Sequence, residues 1–419
     1  MALAAKSNIL HEGLVPARKA LELVLEGAAP AETELVPVAQ AGGRVLAQDL
    51  SAKRTQPPFP ASAMDGYAVR HTDLHDGETV LAVIGEAAAG HPFAGEVVPG
   101  AAVRIFTGAP VPQGADTIII QENTVRDGDT VRILKPAEKG RFVRPAGLDF
   151  TEGETLLKAA SVINAQSLSL AASMNHAEIP VWKKPVIGVL ATGDELVLPG
   201  NELAEGQILA SNTFGVAAIA RDAGGEVLDL GIARDTLDDL IARIGSALGK
   251  GADLIVTTGG ASVGDHDLVK PAMEHFGFTF SFVKIAMRPG KPVMFGTAVI
   301  DGRQRRFLGL AGNPVSSLVS SHIFMRPLIR LLGGYDAKTV KPVAGELEIA
   351  LPENDEREDY LRATARRDGD GRLLVTPFVK QDSSMLATLS KADCLVIRPV
   401  RAPAALAGES VPVILLRDV

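Results

Sequence analysis

The chain of 419 residues has a single cysteine, Cys394, so no disulfide can form within it, and Cys-rich zinc and iron–sulfur sites are excluded. Cys394 lies in the strand-like run Cys394-Leu395-Val396-Ile397, with no histidine or lysine beside it to activate the thiol, and reads as a buried core residue. Aromatic residues make up only 4% of the chain, which excludes a base-stacking platform. Positive charge is also short: 42 basic against 50 acidic residues leave a net charge of −8, which argues against a nucleic-acid surface. A local basic pocket for an anion is not excluded. No apolar run approaches the ~20 residues that cross a bilayer, and the amino-terminal segment lacks the charged-then-apolar signal pattern. A cytoplasmic protein without membrane contact is the expectation. The 8 histidines are scattered without a His-x-x-x-His pair, so oxygen-ligated magnesium is preferred to zinc as any metal.

What is present is ordinary globular composition, 46% hydrophobic and 22% charged, in a length that suggests about three domains. Residues 14–26 read as an amphipathic helix, with Leu14, Leu21, Val24 and Leu25 as core candidates and Gly27 as its stop. Pro57-Pro58-Phe59-Pro60 marks a domain crossing. From 64 to about 148, short β-rich runs alternate with Gly and Pro, as in a compact β domain. Residues 158–177 return to helical composition and are expected to pack with the amino-terminal helix. From 185 to 333, strand-like runs (Val186–Leu190, Val227–Leu230, Leu254–Thr257, Phe307–Leu310) alternate with helical ones. This pattern predicts a parallel sheet with helices on both faces and ligands beyond the strands' carboxyl ends. From 341 the apolar period becomes two, which predicts a small all-β terminal domain.

The chain is organised around Asp253 to Asp267. A buried strand leads into Gly259-Gly260-Ala261-Ser262-Val263-Gly264-Asp265-His266-Asp267, and a helix follows. Strand, glycine-rich loop and helix present backbone N–H groups to a phosphate, here through Gly259, Gly260, Ser262 and Gly264. The carboxylates at the loop's end make sense if a cation sits between them and the phosphate oxygens. The loop is neither a Walker loop nor a dinucleotide fingerprint.

Other loops bring charge to strand ends: Thr192-Gly193-Asp194-Glu195-Leu196, the segment at Asp235, Arg288-Pro289-Gly290-Lys291-Pro292, and Ala311-Gly312-Asn313-Pro314-Val315-Ser316. Asp235 reads equally as the helix N-cap that it or Thr236 would supply. Asp265 reads as a solvated loop residue. Glu195 and Asp267 are more specific, since each ends a Gly-containing loop after a buried strand. A rigid turn holding the Lys291 ammonium near the Arg288 guanidinium suits a doubly charged oxyanion. In the β region, Met64-Asp65-Gly66-Tyr67-Ala68-Val69 reads as a turn holding one carboxylate. Arg104 to Pro110 and Arg144 to Asp149 are of the same kind.

Taken together, Ser62 to Val69, Arg104 to Pro112, Gly147 to Asp149, Thr192 to Leu196, Thr257 to Asp267, Pro289 to Pro292 and Gly312 to Ser316 resemble the MoeA-type molybdopterin molybdenumtransferases. The resemblance extends over essentially the whole chain. It implies a multidomain α/β-plus-β fold in four parts. These are a discontinuous helical domain (8–51 and 149–184), a β-rich domain (52–148), a three-layer α/β molybdopterin-binding domain with a parallel sheet (185–333) and a terminal β-barrel (334–419). It further implies insertion of molybdate into adenylylated molybdopterin with release of AMP, assistance by magnesium, and a homodimer whose active site is completed between subunits. Contact with the molybdopterin adenylyltransferase belongs to the same expectation.

By position, Asp65, Thr107, Asp149, Glu195, Asp235, Asp267 and Lys291 match the family's catalytic residues, with Glu195, Asp235 and Asp267 as the metal carboxylates. Arg288, Lys291, Pro292, Ser316, Arg362 and Ser383 fall where the family places molybdate contacts. Ala311 stands where proline is common in the family. The sulfur ligands of the metal belong to the substrate, so one cysteine suffices. Alternative readings are the adenylyltransferase of the same pathway, a tungsten-inserting paralogue, and a non-catalytic scaffold of the receptor-clustering kind. The adenylyltransferase is one small domain whose glycine loop continues as Gly-Gly-Thr-Gly. Here two thirds of the chain lie outside the α/β part and the loop reads Gly259-Gly260-Ala261-Ser262.

Overall fold

The computed structural model describes residues 13–260, 268–336 and 341–419. Two compact units divide it. The larger holds the described residues up to Glu34, Gly43–Val45 and Trp182–Val419, and the smaller holds Leu35–Gly42 and Leu46–Val181.

In the larger unit, helix α1 (Ala17–Leu25) follows Pro16 and buries Ala17, Ala20 and Val24. The α/β part then alternates β1 (Val186–Thr192), α2 (Asn212–Asp222), β2 (Glu226–Ala233), α3 (Leu237–Gly249), β3 (Leu254–Thr258), α4 (Val269–His275), β4 (Thr279–Phe282), β5 (Met294–Ile300), β6 (Arg303–Leu310), α5 (Pro314–Ser320) and α6 (Arg326–Leu332). The sheet order is β2-β1-β3-β6-β5-β4. The strands β2, β1, β3 and β6 are parallel, as the alternation predicts. β5 runs against both its neighbours, which was not expected. The cause is local: Asp301-Gly302, both at positive φ, closes a two-residue hairpin between β5 and β6.

The β3 strand shows how sequence sets the layers. Leu254 and Val256 enter one core with α2, α5 and α6, while Ile255 enters the other with α3 and α4. Both sheet faces are covered, so the strand reads as a continuous apolar run. α1 joins the first core through Ala17, Ala20 and Val24. Its expected partner was the segment 158–177. That segment shortens to a helix over Ala165–Ser173, capped by Asn164, which accepts from Ser167 N, and packs in a separate core with Leu46, Ile179 and Val181. Leu14, expected in the core, is 47% exposed: it lies before Pro16, outside α1, and the neighbouring Val15 is the residue buried there.

The terminal strands β7 (Val343–Leu347), β8 (Glu358–Arg367), β9 (Leu373–Pro377), β10 (Cys394–Arg398) and β11 (Ser410–Leu415) close on themselves in the order β8-β9-β7-β11-β10-β8. This is the expected barrel, and closure removes the sheet edges. Cys394 is buried in its core, and burial pushes the thiol up to about 12. The free amino-terminal half of β8 pairs with Met287–Arg288 of the α/β part, placing Arg288 opposite Asp359.

In the smaller unit, six strands pair in the order Thr117–Ile120, Gly66–Val69, Ala101–Ile105, Thr79–Ala87, Thr130–Ile133, Thr124–Asp127. Tyr67 and Val69 face one core and Ala68 the other. A Cβ on Gly66 would lie 1.9 Å from the Ile119 carbonyl oxygen, so only glycine lets the neighbouring strand approach.

Candidate active site

At the carboxyl ends of β1, β3 and β6 lies a cleft of about 570 Å³, in the size range of small-molecule sites. Its walls include Thr192, Glu195, Thr258, Gly259, Pro292 and Asn313. The backbone is drawn together there by strand-end bonds. Gly259 N donates to Leu310 O at 3.1 Å, and the Asn212 side-chain amide donates to Gly312 O at 2.7 Å. Gly259 sits at φ +94°, and a Cβ on it would stand 2.6 Å from Thr192 O, so glycine is required both by conformation and by space. Leu196, Ile208 and Leu209 add an apolar wall.

Two acidic loops meet at this end of the sheet. Asp194 N donates to Asp235 Oδ2 at 3.4 Å, and Asp235 N donates to Asp194 Oδ1 at 3.2 Å. The two loops thus exchange carboxylate-to-backbone bonds, and both side chains stay exposed. Asp235 does not cap α3. Thr236 does, accepting from Asp239 N. The plain capping explanation for Asp235 therefore falls away. Glu195 is exposed on the cleft wall beside this pair. Of the expected central-loop residues, Ser262, Gly264 and Asp267 lie outside the described residues.

The basic turn has an unexpected division of labour. Lys291 is exposed and makes no ion pair among the described residues, while its carbonyl accepts from Ile285 N at 2.9 Å. Arg288 donates to Asp355 at 2.8 Å, to Asp359 and to Asn354. The bond to Asp359 holds the Arg288 guanidinium firmly charged. Burial pushes the Asp359 carboxyl above its usual range, and Arg288 pulls it back only in part. Arg288 was expected to contact an oxyanion. Its Nη1 and Nη2 bonds to Asp355, Asn354 and Asp359 latch the turn to β8, so barrel carboxylates already balance its charge.

Arg362 presents the opposite case. It is fully buried, with Nε donating to Gln381 Oε1 at 2.9 Å and Nη1 to Asp382 O at 2.7 Å, while Nη2 has no partner. Burial lowers its affinity for the proton, and the Asp382 charge opposes this. The loop after β9, whose Gln381 and Asp382 hold Arg362, also meets the cleft. Val315 N donates to Ser383 O at 3.1 Å, and the Asn313 side-chain amide donates to Ser383 Oγ at 3.1 Å. Ser316, in the first turn of α5, is buried.

In the smaller unit, Asp65 and Thr107 come together as a pair. Thr107 donates to one Asp65 oxygen through its backbone N at 2.7 Å and its hydroxyl at 2.8 Å. These bonds, the backbone one first, hold the Asp65 carboxyl below its usual range. Asp149 is exposed, with its N donating to Gln56 O at 3.0 Å, and no bond joins it to that pair.

Sequence reasoning missed Asp194, Asn313, Asp355 and Asp359. Asp194 was signalled by its place beside Glu195 at a strand end. The partners of Arg288 lie 67 and 71 residues away in sequence and carried no local signal.

This fold and cleft define a multidomain protein built on a three-layer α/β ligand-binding domain with a β-barrel fused behind it. Comparison with known proteins gives the family. Residues 15–175 match the MoeA N-terminal region (domain I and II), 188–331 a probable molybdopterin binding domain, and 344–416 the MoeA C-terminal region (domain IV). The chain is 34% identical over 386 residues to the molybdopterin molybdenumtransferase of Haemophilus influenzae, covering 92% of this chain and 94% of that one. It is 32% identical over 416 residues to that of Bacillus subtilis, covering 96% and 94%. The crystal structure of a molybdopterin biosynthesis MoeA protein from Pyrococcus horikoshii superimposes with a TM-score of 0.80 at 31% identity, over 97% of this chain and 100% of that one. The chain belongs to the MoeA family of molybdopterin molybdenumtransferases.

Proposed function

We infer that the protein is a transferase of molybdenum cofactor biosynthesis that inserts molybdenum into molybdopterin. Family membership over more than nine tenths of the chain carries this reading. We further propose that the molybdopterin substrate is adenylylated, that molybdate is the metal donor, and that AMP leaves.

The cleft suits such a substrate. An apolar wall of Leu196, Ile208 and Leu209 can hold a pterin face; the Gly259 N–H is committed to Leu310 O, so the phosphate oxygens are assigned to the glycine-rich loop beyond it on the family resemblance. Among the described residues no three Asp, Glu, His or Cys side chains gather to hold a metal by themselves. The donors that do gather are all oxygens. Magnesium characteristically takes one or two protein carboxylates and completes its shell with water and substrate phosphate. Asp235 and Glu195 fit that requirement, and Asp267 is assigned with them on the family resemblance. When bound, magnesium would neutralise the pyrophosphate and favour departure of AMP.

The chain's own part is to overcome repulsion between a dianionic molybdate and an anionic substrate. We assign the oxyanion to Arg362, whose Nη2 donor is uncommitted, and, on the family resemblance, to Lys291, Pro292, Ser316 and Ser383. Holding the oxyanion still beside the dithiolene converts an encounter into a positioned reaction. Asp65, Thr107 and Asp149 are retained as functional residues on the family resemblance. A homodimer in the cytoplasm is proposed on the same ground, and a molar mass measured by light scattering tests the dimer.

The decisive experiment supplies purified protein with adenylylated molybdopterin. AMP should appear only when molybdate is added. AMP release without molybdate, or none with it, would overturn the proposal. Tungstate run in parallel decides between molybdenum and tungsten insertion.

A further inference from the structure

The amino ends of the same parallel strands carry a second cavity, at the opposite end of the sheet from the cleft. It measures about 120 Å³ and lies among Glu32, Lys183, Lys184, Lys250, Asp253 and Arg303. Its two carboxylates are already engaged. Glu32 bridges Lys183, at 3.2 Å, and Arg303. Asp253 accepts from Val186 N at 2.9 Å and from Arg305 Nη1 at 3.0 Å. Lys184 and Lys250 have no ion pair among the described residues. The lining therefore concentrates positive charge in a chain whose net charge is −8. Val186 and Leu332 give it an apolar floor, which reduces screening of that charge.

Charge calls for an anion, and size restricts which one. Sites for drug-sized ligands and cofactors occupy roughly 300–1,000 Å³. A nucleotide or a pterin is too large for this cavity, whereas one tetrahedral oxyanion fits. We propose that the cavity binds a small tetrahedral oxyanion, such as phosphate, sulfate or molybdate, between Lys184 and Lys250. The site is separate from the catalytic cleft and does not depend on the catalytic reading.

The test is calorimetric titration of the full chain with sodium phosphate, sulfate and molybdate, each against chloride at matched ionic strength. Phosphate should bind beyond the chloride background. The Lys184→Ala/Lys250→Ala double variant removes only exposed side chains and should stay folded, as near-ultraviolet circular dichroism will check. Loss of two charge-assisted contacts should weaken binding at least about tenfold. Lys291→Ala, which alters the molybdate site proposed in the cleft, should leave phosphate binding unchanged. Binding equal to chloride, or equal in the double variant and the wild type, would overturn the proposal. So would loss of phosphate binding in Lys291→Ala alone, since it would place the phosphate in the cleft.

Discussion

Arg288 and Arg362 are two arginines of the same unit, and their surroundings have opposite logic. Arg288 is 43% exposed and surrounded by carboxylates, so its charge is neutralised by the protein itself. Arg362 is wholly buried, is held by the neutral acceptors Gln381 Oε1 and Asp382 O, and keeps one donor uncommitted. Burial penalises this charge and the Asp382 carboxylate offsets the penalty only in part, so an anionic ligand would supply a further partner. The difference teaches that proximity of a cation to a candidate site is not enough. What matters is whether its donors are free.

The largest expected effect comes from removing the uncommitted charge. Arg362→Met keeps most of the volume and removes the buried ion, so the variant should stay folded and be no less stable. Losing both N–H bonds of Nη2 to molybdate should raise the molybdate concentration for half-maximal AMP release by about 100-fold. An unchanged molybdate dependence would erase the contrast with Arg288. The converse change, Arg288→Ala, should act on stability. It leaves Asp359 buried without its partner and should cost about 2 kcal/mol in denaturant unfolding, the exposure of the pair reducing the usual penalty. Its molybdate dependence should change less than threefold. A large shift there would return Arg288 to the oxyanion site.

The same division between free and committed groups separates two neighbours on the acidic loop. Asp235→Asn should lower AMP release at least about tenfold with little loss of stability, because Asp235 does not cap the helix. Thr236→Ala should do the reverse, costing about 1 kcal/mol with specific activity kept. If both variants lose only stability, the carboxylate has no metal role.

The smallest effect concerns Asp65, a charge committed to Thr107. Its folded pKa lies below the unfolded value, so its contribution to stability is present above the ordinary carboxylate range and is lost as pH falls through the folded pKa. Thr107→Val removes the hydroxyl bond but keeps the backbone one. The Asp65 titration, followed by carboxyl NMR, should move partway back toward the usual value of about 4. No movement would mean that the hydroxyl contributes nothing.

Much of the architecture was legible. The run at Leu254–Thr258 announced a buried central strand because both its faces are covered, and apolar β-branched residues have no other economical place. The barrel announced itself by its period of two. The antiparallel β5 was missed although Asp301-Gly302 is a strong hairpin signal, because only the last half of β6 was read as strand. The helix at 165–173 was drawn too long because the Asn164 cap was overlooked. Site residues contributed by single loops could be read. Those defined by a partner far along the chain could not, since nothing near Arg288 in the sequence foretells Asp355 or Asp359.

One feature of the core reaches further. Tyr360, Leu389, Ala392 and Leu395 of the barrel region are buried in the same cluster as Leu254, Val256 and Leu308 of the α/β sheet. This part of their burial is shared, while each also keeps a core of its own. Truncation after residue 333 should expose the α/β side of this shared cluster and lower the stability of the sheet, read as a lower midpoint in denaturant unfolding. An anion held by Arg362 would for the same reason slow amide exchange in β3, a strand of the other domain.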